Sequence, residues 1–333
     1  MYSFQAMSTL FYIAGLEEQD IQRAESWFAF VERHLSRFDP QSELSQLNRQ
    51  QGYPFYASAL LYEAMSQAIQ YQQRTDHLFD PFMGQILTRI GYPNQNSLST
   101  ATMPIVSLQA NEFSNAAHAI TQTMNGHQWG DFSYMQSHGR ICTLDPILRT
   151  VHVHADVSVD LGGIAKGWSA EQYALMMRQQ GVASGMVNAG GDLIIWGSNL
   201  QDYVVDVADP WSSGQHIASL HMHKDAGVAT SSTIKRSWQN GAGHHHHLLD
   251  PRTGMPAQSD WVQLTVISDS LTDAEVYAKC VLILGKQQGP AWLRRQCPDA
   301  AMIGVTQDGR CLIDGPLDRY VTLTGQGEWM NNE

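Results

Sequence analysis

The sequence predicts an α+β protein whose sheets are covered by helices, and three observations predict it. Segments early in the chain carry apolar residues at helical spacing. From Arg149 onward, apolar strands alternate with such helices. No repeat of fixed period and no membrane-length apolar run breaks the pattern. With 333 residues, 43% hydrophobic and 16% charged, the chain has the composition of an ordinary globular protein with ample core. A single domain over 1–333 is the expectation.

The formal net charge of -12 argues against an open nucleic-acid surface, which needs a basic face. It leaves room for a local basic pocket. The opening MYSFQAMSTLFYIAG lacks the positive segment, long apolar segment and small-residue cleavage site of a secretory signal. The expectation is a cytoplasmic protein, or a periplasmic or membrane-anchored one if the sequence is a mature form. Cys142, Cys280, Cys297 and Cys311 show no CxxC or zinc-type spacing, so buried thiols are expected.

In chain order, SFQAMSTLFYIAG reads as one opening strand. The next segment places Ile21, Ala24, Trp27, Phe28, Phe30, Val31 and Leu35 on an amphipathic helix. DPQSELSQLNRQ supplies a turn and a short helix capped by Ser42 or Asp39. SALLYEAMSQAIQYQQRT is a helix and DHLFDPFMGQIL a loop. Residues 93–115, rich in Ser, Asn, Thr and Pro, read as a surface excursion. GIAKGWSAEQYALMMRQQG is a helix with Ile164, Trp168 and Leu175 on one face and Gly181 as its terminator. ASGMVNAGGDLIIWG, DYVVDVADP and WVQLTVISDS are strands, the first interrupted by a glycine pair. LTDAEVYAKCVLILG is a helix, and AAMIGVTQDGRCLIDG a hairpin turning at Asp308-Gly309.

Four stretches carry candidate chemistry. VDLGGIAKG is a strand end, a glycine turn and a helix start, so free backbone N–H groups and Lys166 suit an anion. Asp160 could accept hydrogen bonds from a base or sugar, or sit near a cation. A tight turn with a surface ion pair accounts for the same residues. Gly190-Gly191 permits close approach of backbone or ligand, or marks a β-bulge. In GHHHHLLDPRTGMP, His247 near Asp250 has the makings of a general base, although a lone histidine is usually structural. In GVATSSTIKRSW, hydroxyls beside Lys235-Arg236 fit phosphate binding or a solvated turn.

Taken in order, these stretches resemble the FAD:protein FMN transferase (ApbE) family over most of the chain. FQAMSTLFY is similar to its opening AMGT strand, with Ser8 where glycine is usual. SRFDPQSELSQLN and LFDPFMGQIL resemble its next two segments, and VDLGGIAKG its DLGgiaKG core. VNAGGDLIIWG, VATSS and HLLDPRTGMP resemble the remaining motifs.

The resemblance implies two intertwined α/β halves with FAD between them, and transfer of FMN from FAD to a Thr or Ser of an acceptor flavoprotein, releasing AMP. By resemblance, Met7, Leu78, Phe79, Asp80, Asp160, Lys166 and Leu249 contact FAD, and His247 assists deprotonation of the acceptor. It also implies a magnesium ion held by the Gly163 carbonyl together with an aspartate and, four residues on, a threonine. Here Glu275 and Lys279 stand at those two positions. At i, i+4 they share a helix face and can pair, and an ammonium has no lone pair for a metal. Weak or absent magnesium stimulation is therefore expected, with Lys279 supplying charge that a metal otherwise supplies. An FAD-binding paralogue with little transferase activity, or an FAD pyrophosphatase, is the alternative.

Overall fold

The opening segment is a hairpin, not one strand. Tyr2–Ala6 and Thr9–Ala14 pair antiparallel across Met7 and Ser8, whose φ angles of 50° and 58° reverse the chain. Two left-handed residues in succession give a turn whose twist matches that of the strands it joins. Neither residue is the Asn, Asp or Gly that a turn with two positive φ angles favours, which is why the pattern reads as continuous strand.

The computed structural model describes residues 1–90, 133–136, 139–198, 200, 203–234, 237–240, 243–325 and 329–331. The expected surface excursion at 93–115 and the Lys235-Arg236 pair lie outside these residues.

The hairpin forms one edge of a nine-stranded sheet among the described residues. Its order continues through Gly185–Ala189, Leu193–Trp196, Ala226–Ser232, Trp261–Ser268, Ala301–Thr306, Cys311–Asp314 and Trp329–Asn331. All neighbours are antiparallel except the last pair. The expected hairpin at Asp308-Gly309 is present, with Gly309 at φ 83°. Strand Trp261–Ser268 is buried along its whole length because the sheet is covered on both faces.

Alternation within the strands assigns each face. Val187, Ile194, Ala229, Leu264, Val266 and Met302 join the core under the helices. Met186, Leu193, Ile195, Val228, Ile267 and Ile303 join a second core with Leu220, Met222 and Val321. That second core lies under a three-stranded sheet of Val204–Ala208, His216–Met222 and Val321–Thr324. Helices alone were expected to cover the sheets; on this face a small sheet does so.

On the helical face, Glu18–Leu35 buries Ala24, Trp27, Phe28, Val31 and Leu35, and Trp27 Nε1 donates to Ser169 O at 3.0 Å. Short helix Glu43–Arg49 is capped by Ser42, which accepts from Ser45 N at 3.0 Å, while Asp39 takes Gln41 N instead. Helix Ala59–Arg74 follows, and the expected loop after it contains a further turn of helix at Gly84–Arg89. Helix Ala165–Gln179 ends at Gly181, φ 86°, as expected. Its Leu175, however, is 42% exposed. Ala170, Tyr173, Ala174 and Met177 make the buried face, and Leu175 falls outside it. The helix expected at 271–285 runs on as Leu271–Gln296, with a kink where Gly285 takes φ 73°. All four cysteines are free thiols, three of them buried.

Candidate active site

Turns from distant parts of the chain open on one cleft of about 290 Å³. The Met7-Ser8 turn and the Gly190-Gly191 turn sit side by side. Gly190 and Gly191 take φ 74° and 107°, and a Cβ on Gly190 would meet Thr9 Oγ1 at 2.2 Å. Close approach of the opening hairpin therefore requires this glycine.

The strand end before Asp160 is clamped by Asn48, whose side chain donates to Val159 O at 2.9 Å and accepts from Val159 N at 2.8 Å. Asp160 N donates to Pro81 O at 2.8 Å, which ties the stretch to the Leu78-Phe79-Asp80 loop. Thr75 orders that loop in turn, its Oγ1 accepting from Phe79 N at 3.1 Å. Burial raises the Asp80 carboxyl above its ordinary value, against the hydrogen bond from Phe82 N. Asp160 itself accepts from Gly162 N at 2.6 Å and pairs with the Arg37 guanidinium.

At the floor of the cleft lies a buried quartet of charges. Lys166 pairs with Asp192 and, at 2.9 Å, with Glu275 Oε1. Gly167 N donates to Glu275 Oε2 at 2.7 Å. Lys279 Nζ lies 3.3 Å from Glu275 Oε1 and donates to Glu275 O at 2.9 Å. Burial disfavours the Glu275 carboxylate, but the Lys166 and Lys279 ammoniums outweigh it and hold the group down at about 2. Burial in turn pulls the Lys279 ammonium below the ordinary lysine value, against the attraction of Glu275. Lys166 is thus no member of a surface ion pair; it is buried between two carboxylates. Asp273, on the same helix, turns away to accept from Tyr71 Oη at 2.8 Å.

Also lining the cleft, His247 is half-buried and Leu249 buried, at the start of the two-residue ladder Leu249–Asp250 with Met255–Pro256. Asp250 is held by Arg252 through both carboxylate oxygens, with Nη2 to Oδ2 at 2.8 Å. Met7, Leu78, Phe79, Asp80, Asp160, Gly163, Lys166, His247, Leu249, Glu275 and Lys279 all line the one cleft. Such a constellation offers two ammoniums to an anion, apolar walls to a ring system, and a histidine to a proton; the Gly162 and Gly167 N–H groups of the expected anion turn are instead taken by Asp160 and Glu275.

The sequence profile of the ApbE family matches residues 4–303. The chain belongs to the ApbE family. Among relatives, an FAD:protein FMN transferase from Treponema pallidum is 25% identical over 312 residues, spanning 87% of this chain and 78% of that protein. One from Vibrio cholerae is 24% identical over 282 residues, spanning 84% and 77%. The match to one from Klebsiella pneumoniae, 29% identical over 160 residues, spans about half of each, 48% and 49%. The fold matches the ApbE protein of Thermotoga maritima with a TM-score of 0.73 at 22% identity, covering 96% of this chain and 98% of that one. The flavin transferase ApbE of Vibrio cholerae matches at 0.69 and 22%, with the same coverage.

The divalent cation implied by the ApbE resemblance does not fit the residues present. Both Glu275 oxygens are engaged by the Lys166 and Lys279 ammoniums and Gly167 N. A methyl group built on Gly163 would lie 3.6 Å from Lys279 Cε, so the lysine stem fills the space between Gly163 and Glu275. Among the described residues, no three His, Cys, Asp or Glu side chains are grouped as a metal site would need.

Two cleft residues escaped the sequence reading. Asp192 follows the glycine pair directly, and an acid at the end of a glycine turn was the available signal. Arg37, in SRFDP, gave none, because its partner Asp160 is remote in sequence.

Proposed function

We propose that this chain transfers FMN from FAD to a Thr or Ser hydroxyl of an acceptor protein, releasing AMP. The observation that supports this reading is the convergence, in one cleft, of the Asp160–Gly163 turn, the Lys166 quartet and His247. The relatives spanning most of this chain bear the name of that reaction.

The reaction is displacement at phosphorus, where catalysis consists mainly of positioning and neutralisation of charge. The acceptor oxygen forms a bond to the phosphorus of the FMN half. The bond from that phosphorus to the bridging oxygen breaks, and AMP leaves with the electron pair. The acceptor proton passes to His247, which stands on the cleft wall. Lys166, in the first turn of its helix, draws the pyrophosphate to the floor. Met7, Leu78, Phe79 and Leu249 supply the apolar surface for the flavin and adenosine, and Asp160 and Asp80 the hydrogen-bond acceptors.

Incubation of the protein with FAD and an acceptor protein tests the reading. AMP release with an acceptor mass gain of one FMN is expected. AMP and FMN released without any acceptor would make the chain a pyrophosphatase instead, and FAD binding with neither product would make it a binding protein.

A further inference from the structure

We propose that the Lys279 ammonium is a covalently tethered replacement for a divalent cation, so that this chain engages the FAD pyrophosphate without metal. The proposal rests on the transferase reading for the identity of the phosphate ligand, and on the quartet for its own geometry.

The floor of the cleft holds two ammoniums, Lys166 and Lys279, and two carboxylates, Asp192 and Glu275. Its formal charge is balanced by the chain's own residues. A cation entering the quartet would find neither carboxylate without a positive partner, and the Lys279 side chain already lying between Gly163 and Glu275 with its ammonium on Glu275. Like charges at that separation repel, and in a buried site water screens them little. Lys279 is held in two ways, by its ion pair to Glu275 Oε1 and its hydrogen bond to Glu275 O. An ammonium has three donors, so one remains for a phosphate oxygen in the cleft that Lys279 lines. Loss of Lys279 would leave two carboxylates facing one ammonium, which is a site that attracts a cation.

The test uses the full-length protein after EDTA treatment, with free Mn2+ followed by electron paramagnetic resonance and FAD binding by calorimetry. The unmodified protein should take up no Mn2+, and adding Mg2+ should change its FAD affinity by less than about twofold. Lys279→Thr should take up Mn2+ and should lose roughly 10- to 100-fold in FAD affinity in EDTA, with Mg2+ restoring most of it. Lys279→Arg, which keeps the charge, should bind FAD without metal.

Saturable Mn2+ uptake by the unmodified protein, or FAD binding abolished by EDTA and restored by Mg2+, would overturn the proposal even if no variant folds. So would a folded Lys279→Thr that gains no cation and keeps its metal-free FAD affinity. The transferase reading fails separately: metal-free FAD binding with no FMN transfer, with or without Mg2+, leaves Lys279 standing and removes the reaction. Transfer that requires Mg2+ does the reverse.

Discussion

Gly167 and Glu275 touch directly: the glycine's N–H donates to Glu275 Oε2 at 2.7 Å, and a Cβ at position 167 would meet that same oxygen at 2.7 Å. The contact joins the start of helix Ala165–Gln179 to the second turn of the long helix Leu271–Gln296. It also fixes Lys166, the preceding residue, against Glu275. Spacing of the two helices and geometry of the charge quartet are therefore one constraint.

Gly167→Ala should push the helices apart, because the added methyl also meets Glu275 Cβ and Leu271 O at 3.2 Å. Overpacking of this kind costs about 1 to 3 kcal/mol. Urea denaturation should show that loss, and FAD affinity should fall with it as Lys166 is displaced. Unchanged stability would mean that the helices are free to separate.

Lys166→Ala should do two things that can be told apart. FAD binding should weaken by about 1 to 3 kcal/mol, the value of a charge-assisted hydrogen bond. Stability should fall as well, by about 3 to 5 kcal/mol, because Asp192 and Glu275 lose a buried partner. Lys166→Met with Asp192→Asn should recover much of the stability and none of the binding. Recovery of both would show that Lys166 acts only as a structural counter-ion.

Acid should weaken the fold through Glu275. Its folded value of about 2 lies below the ordinary 4.5, so the unfolded chain takes up the proton first as pH falls. The stabilisation is complete above about 4.5 and is lost progressively as pH drops through about 2. Denaturation midpoints measured across that range should fall less steeply in Glu275→Gln than in the unmodified protein. Identical slopes would assign the acid sensitivity to other carboxylates.

Local signals carried the sequence reading far, and their limits are physical. The glycine turn, the first-turn placement of Lys166 and the Glu275–Lys279 pairing follow from spacing along one helix, and the structure holds them as read. Lys166's pairing with Asp192 could not be read, because it depends on the order in which strands enter the sheet. The reversal at Met7-Ser8 was hidden by residues that rarely adopt positive φ. Leu175 satisfied the helical period and still faces outward, because the buried flank is that of Ala170, Tyr173 and Ala174, where Tyr173 packs against Phe28 of helix Glu18–Leu35. All four candidate stretches, VDLGG, NAGGD, VATSS and HLLD, were placed together by their resemblance to one family, where the residues alone left each open.

His247 carries the last prediction, which concerns the proton. His247→Ala should lower the rate of FMN transfer by about 10² or more, within the usual contribution of a positioned acid or base. FAD affinity should stay nearly unchanged, since the transferase reading assigns the pyrophosphate to Lys166 and not to the histidine. Asp250 is committed to Arg252, so Asp250→Asn should loosen the 249–256 turn and reduce transfer less than loss of the histidine does. Transfer measured against acceptor concentration separates the roles: a proton-transfer group lowers kcat, whereas a wall that merely docks the acceptor raises KM. Raising the pH in His247→Ala should recover part of the lost rate, because hydroxide or the ionised acceptor then takes over the missing step. Loss of FAD binding together with transfer, with no recovery at high pH, would make His247 a structural residue and leave the acceptor proton without a base.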